Sequence, residues 1–256
     1  MQIKVLGCAG GIGKHAGNVL RTTSFLIDDD VLIDAGTGVG DLGIDALCKI
    51  NHIFITHSHL DHITSIPFLL DTVFGMREGF VTVYALEETI QTLKEHIFNW
   101  KVWPDFNLIP NRVNPLLRYE VIKLGQIINL NERNIKSLPA NHVVPAVGYQ
   151  VSYEESHFVF SGDSTECFDF WQAVNEITSL KYLVIETSFC NEELALAKLA
   201  KHYCPSMLLA ALSQFKHCPE IYITHLKPGS EALIMGQINN NGGTAQALEN
   251  NHIFIF

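Results

Sequence analysis

Short apolar runs, separated by turn signals, recur along the whole chain: QIKVLG (2–7), TTSFLID (22–28), VLIDAG (31–36), HIFITH (52–57), FVTVYA (80–85), HFVFSGD (157–163), YLVIETS (182–188) and EIYITH (220–225). They are rich in Val, Ile, Phe and Tyr, the composition of strands. Apolar residues recurring at helical spacing predict helices over about 86–99, 166–178, 191–202, 205–216 and 230–240. Asp28-Asp29-Asp30 reads as a tight turn between two early strands, and Pro205 and Pro228-Gly229 as helix-entry or turn punctuation. Early strands follow one another closely, whereas later ones alternate with helices. That order predicts sheets covered by helices, a layered αββα or other α/β arrangement. The segment 99–118, NWKVWPDFNLIPNRVNPLLR, has no period and reads as an irregular loop or cap, pinned by Trp100, Trp103 and Phe106. No internal repeat or linker is apparent, so a single domain over residues 1–256 is expected.

Composition narrows the field. The 256 residues are 47% hydrophobic, enough to bury a sizeable core, and the net charge is −10. With a pI near 5.6, a broad surface for extended nucleic acid is not expected, because that needs clustered Lys and Arg. The six cysteines form no CxxC pair, so neither a zinc ribbon nor a dithiol redox motif is written here. The opening MQIKVLG reads as a strand rather than a leader, and no apolar run reaches membrane-spanning length. A cytoplasmic protein with no membrane partner is the expectation; a homodimer is compatible with the sequence.

The chemistry is concentrated in FITHSHLDHITSIP (54–67), where His57, His59, Asp61 and His62 crowd into six positions. Three imidazoles and a carboxylate on one loop repel if protonated and compete for partners if neutral. A divalent cation resolves both problems, since neutral imidazole and ionised carboxylate are its usual donors. Side chains alternate where a strand ends, so His57 and His59 can point the same way. Asp61 and His62 follow as the chain turns into a helix, toward a neighbouring point. Neither pair is a complete site, because a catalytic zinc takes about three protein ligands. Three further donors each follow an apolar run: His142 after IKSLPA, Asp163 after HFVFSG, and His225 after EIYIT. The other histidines, among them His15, His52, His157 and His202, read as surface or hydrogen-bonded residues. The glycine-rich GCAGGIG (7–13) lacks GxGxxG spacing and runs into a strand, so it reads as a loop bordering the cleft rather than a dinucleotide fingerprint. Asn18 and Arg21 can line that cleft.

His57-Ser-His59-Leu-Asp61-His62 matches the HxHxDH motif of the metallo-β-lactamase superfamily, and His142, Asp163 and His225 match its later ligands in order. The resemblance implies an α/β four-layer αββα sandwich with a two-metal site. In that arrangement His57, His59 and His142 hold one ion, Asp61, His62 and His225 the other, and Asp163 bridges. HSHLDHITSIP, with Ser65 where the family usually has Gly, resembles more narrowly the class II cyclic-nucleotide phosphodiesterases, as do VLGCAGGIG, RTTSFLID, LIDAGTG, IETSF and THLKPG. The resemblance implies a cytoplasmic metal-dependent hydrolase acting on 3′,5′-cyclic nucleotides (cAMP or cGMP). A metal-bridging hydroxide attacks phosphorus and expels the 3′ oxygen, giving a nucleoside 5′-monophosphate. Asp61 both ligates and orients the nucleophile. Two divalent ions are the expected cofactors, zinc first, with manganese or iron also suited to such donors. Lys227 is a candidate phosphate contact, and Glu186 a candidate partner for a metal-bound histidine. Another hydrolase of the same superfamily, a tRNA 3′-processing phosphodiesterase or a thioester or lactone hydrolase, is the alternative.

Overall fold

A computed structural model describes residues 1–256. The chain divides into two compact units.

The first unit comprises Met1–Gly7, Arg21–Ile122 and Asn250–Ile255. Its centre is a seven-stranded sheet in the order Ile253–Ile255, Gln2–Gly7, Ser24–Ile27, Val31–Ile33, His52–Phe54, Val81–Ala85, Leu117–Val121. Pairing changes from antiparallel to parallel at Val31–Ile33, so Val31–Ile33, His52–Phe54 and Val81–Ala85 run side by side. Parallel neighbours need crossovers, and these carry the helix Ser65–Val73. That helix buries Ile66, Leu69, Leu70 and Val73 against Leu26, Leu32, Ile53 and Val83 of the sheet. Ile3, Val5, Phe25, Ile27, Ile33 and Phe54, at the alternate strand positions, are buried as well. Burial on both faces explains why these strands read as unbroken apolar runs.

The second unit comprises Cys8–Leu20, Lys123–Glu249 and Phe256. Its seven-stranded sheet runs Gln246–Ala247, Glu220–Thr224, Leu180–Glu186, Ser156–Phe160, Val147–Tyr153, Arg133–Pro139, Ile127–Leu130. The helices Phe168–Asn175, Pro205–Leu212 and Glu231–Asn239 pack Phe170, Val174, Leu208, Ile234 and Ile238 against Val159, Leu183, Ile185 and Ile223. A short hairpin, Gly13–His15 with Asn18–Leu20, stands apart from the main sheet.

The predicted helices form but stop early. The segment at 86–99 is α-helical only over Glu87–Thr92 and then widens to a π turn over Leu93–Ile97. No helix or strand occurs from 99 to 116. Phe106 is buried in the first unit's core and Trp103 packs on it, while Trp100 is 62% exposed. Two of the three aromatics therefore pin this segment, and Trp100 does not.

Candidate metal centre

In the first unit every candidate donor lies just past a strand end. The strand His52–Phe54 stops, and Ile55-Thr56 lead into His57; His59 then caps the short helix Leu60–Ile63, which carries Asp61 and His62. His57 and His62 are fully buried, and their rings lie 4.2 Å apart; His57 and His59 are 4.6 Å apart. Asp34, directly after the strand Val31–Ile33, organises the cluster. It has no solvent exposure and accepts from the Thr56 amide at 2.8 Å, the Thr56 hydroxyl at 2.8 Å and His62 Nδ1 at 2.7 Å. The Thr56 hydroxyl, its proton committed to Asp34, accepts in turn from His57 Nδ1 at 3.0 Å. Burial raises the Asp34 pKa, and the adjacent His62 and the Thr56 donors partly offset that rise. Ser65, the departure from the usual Gly, is accounted for locally: its hydroxyl donates to the Gly36 carbonyl at 2.7 Å.

In the second unit a carboxylate plays the matching part. Glu186 ends the strand Leu180–Glu186 fully buried. It accepts from His202 Nδ1 at 2.8 Å, the Ser164 amide at 3.1 Å and the Ser188 hydroxyl at 3.2 Å. Ser188 Oγ, with its proton toward Glu186, accepts from His225 Nδ1 at 2.9 Å. His142 Nδ1 donates to the Lys201 carbonyl at 3.1 Å, and Lys201 Nζ returns a bond to the His142 carbonyl at 3.0 Å. Asp163 follows Gly162, whose φ of +61° makes the tight exit from the strand. Asp163 is 2% exposed and its Oδ2 lies 3.2 Å from His225 Nε2.

His57, His62, His142 and His225 thus each have Nδ1 committed to a carbonyl, a carboxylate or a hydroxyl that itself faces a carboxylate. Each bond places the ring proton on Nδ1 and makes Nε2 the nitrogen able to ligate a cation, the usual arrangement around metal-binding imidazoles. The first unit offers His57, His59, Asp61 and His62 as donors to a divalent ion, and the second offers His142, Asp163 and His225. Neutral imidazole plus carboxylate is a donor set suited to zinc, manganese or iron. The residues present therefore fit divalent metal.

Residues 44–154 match the family model of class-II cAMP phosphodiesterases. A probable 3′,5′-cyclic-nucleotide phosphodiesterase of Yersinia pestis is 27% identical over 204 residues, 70% of this chain and 58% of that protein. A ribonuclease Z of Haloarcula marismortui is 26% identical over 172 residues, 65% of this chain and 52% of that protein. The chain thus spans little more than half the length of these curated relatives. The metallo-β-lactamase fold protein YhfI of Bacillus subtilis superposes with a TM-score of 0.78 at 17% identity, covering 99% of each chain. This chain has the metallo-β-lactamase fold.

Other residues of this metallo-β-lactamase-fold protein were not legible as site residues in the sequence. His202 is one: its ring lies 4.9 Å from His142 and stacks on His225 at 5.3 Å. Burial is the strongest single influence and opposes its charge, but the Glu186 carboxylate, which is both charged and hydrogen-bonded to it, and Asp163 together raise its pKa. Asp34 and Ser188 lie in segments singled out in the sequence, LIDAGTG and IETSF, but neither is marked there as a site residue. Two of the outlying candidates, Arg21 and Lys227, are bonded to other groups. Arg21 forms a two-pronged ion pair with Asp41 at 2.8 Å, and Asn18 is exposed on the small hairpin. Lys227 Nζ donates to the Gly10 carbonyl at 3.2 Å. No helix is long and apolar enough to cross a membrane.

Proposed function

We propose that this chain is a binuclear-metal phosphodiesterase that opens 3′,5′-cyclic nucleotides, cAMP or cGMP, to nucleoside 5′-monophosphates. The observation that carries the reading is the set of imidazoles, His57, His62, His142 and His225, whose Nδ1 atoms are already bonded so that Nε2 is the nitrogen offered to a cation. His57, His59 and His142 hold one divalent ion, Asp61, His62 and His225 the second, and Asp163 serves both; zinc is the first choice. Two ions clamped this way supply charge stabilisation for the phosphoryl oxygens and make a water acidic enough to attack. The similarity of residues 44–154 to class-II phosphodiesterases supports the substrate class.

The chain's own groups supply the rest. Asp61 is the carboxylate of the cluster with solvent access, its side chain 32% exposed and 3.8 Å from His62 Nε2. It orients the incoming water and takes its proton. The new P–O bond forms as P–O3′ breaks, and the departing 3′ oxygen must gain a proton. His202, fixed by Glu186 and packed against His142 and His225, is the imidazole placed to give it.

A second phosphodiester reading, processing of tRNA 3′ ends, is favoured by the similarity to ribonuclease Z; the net charge of −10 weighs against it. The test is turnover of cAMP, cGMP, a generic aryl phosphodiester and a precursor tRNA by zinc-loaded protein, with metal content measured on the same sample. Cyclic-nucleotide turnover with two ions per chain is expected. Cleavage of the precursor tRNA without cyclic-nucleotide turnover by the two-ion form would sink the substrate assignment.

A further inference from the structure

The glycine-rich loop GCAGGIG has no part in the reading above, yet its first residues lie against His225. His225 is a non-glycine residue at φ +60°, a left-handed conformation that costs energy and persists only where its surroundings impose it. Residues 8–11 impose it. The Cys8 carbonyl accepts from the His225 amide at 2.7 Å and from the Thr224 hydroxyl at 3.1 Å. The Gly10 amide donates to the Leu226 carbonyl at 3.0 Å, and Ala9 pairs with Leu226 as a parallel bridge. Lys227 Nζ closes the loop onto the Gly10 carbonyl at 3.2 Å.

Gly10 is required by closeness, not by backbone conformation, since its φ is not positive. A Cβ there meets the His225 carbonyl oxygen at 2.7 Å and the ring's Nδ1 at 2.9 Å. That Nδ1 is the atom bonded to Ser188 Oγ. At Gly11 a Cβ meets only the ring of Pro228, at 2.9 Å.

We infer that residues 8–11 are a positioning strap for His225: they hold its backbone in the left-handed conformation and press its ring onto Ser188, so that Nε2 is presented to the metal. The inference rests on His225 being a ligand. Gly10 is then a positioning residue whose side-chain-free surface sets the affinity of one of the two sites.

The experiment is zinc titration against a competing chelator on the wild type, Gly10→Ala and His225→Ala, alongside imidazole NMR of the metal-free proteins. The expected result is two ions in the wild type. Gly10→Ala should lose at least tenfold in affinity at one site, the site that His225→Ala abolishes, and its His225 resonances should show the Nδ1–H···Ser188 bond disrupted. Two ions bound by Gly10→Ala with affinities within twofold of wild type would overturn the strap. A wild type that binds no zinc overturns the metal reading instead. If Gly10→Ala does not fold, Lys227→Met decides, since it frees the loop without adding bulk. A weakening confined to the same site supports the strap, and unchanged affinity refutes it.

Discussion

Asp34→Asn separates metal positioning from fold stability. The wild-type carboxylate accepts on both sides: from the Thr56 amide at one oxygen, and from the Thr56 hydroxyl and His62 Nδ1 at the other. An amide of the same shape keeps one acceptor, which the Thr56 amide claims, and turns NH2 toward His62. Two donors then face each other unless the imidazole moves its proton to Nε2. In the metal-free protein that shift costs little, and a buried carboxylate has been removed, so apo stability should change by about 1 kcal/mol or less. Metal binding must reverse the shift and leave a buried donor facing a donor, at about 1–3 kcal/mol. At about 1.4 kcal/mol per tenfold, zinc affinity at that site falls about 5- to 150-fold, in line with about 10–100-fold for partners of metal-bound histidines. The assay is competitive zinc titration, with thermal unfolding of the apo form and imidazole NMR of His62. Zinc affinity within twofold of wild type, with the His62 proton still on Nδ1, would refute the reasoning.

The shared carboxylate predicts that Asp163→Ala loses most of its metal and its turnover while keeping its circular dichroism; full turnover in that variant removes the bridging role. His202→Asn should lower kcat about 10²–10⁴-fold with KM and metal content nearly unchanged, and a change confined to metal content would make it a structural residue instead. Zinc at about a hundredfold over its Kd should stabilise the apo protein by about 2.7 kcal/mol; a melting temperature indifferent to zinc and chelator contradicts the metal centre. Phe54→Ala, at a fully buried ring stacked on Tyr84 at 4.4 Å, should cost about 3–5 kcal/mol in denaturant unfolding, and a loss under about 1 kcal/mol would show that the strand is not locked there.

What the sequence disclosed followed from burial. The strands Val31–Ile33, Val81–Ala85, Ser156–Phe160, Leu180–Glu186 and Glu220–Thr224 are apolar because both faces are covered, so they stand out as runs. The strands Leu117–Val121 and Ile127–Leu130 did not stand out, and both prove to be sheet edges exposed or half-buried at nearly every position. The 57–62 cluster was legible because its donors are neighbours in sequence and their crowding is improbable without an ion. His202 and Ser188 were not legible, since nothing local distinguishes a histidine before Tyr203-Cys204-Pro205 or the serine of IETSF. They take their places because Glu186, at the end of a central strand, gathers His202, Ser188 and, through Ser188, His225. Residue type and spacing fixed which atoms can bind a cation. Which nitrogen of each ring is offered, and which buried carboxylate holds it there, depends on bonds between residues distant in the chain, and only the folded backbone brings those partners within reach.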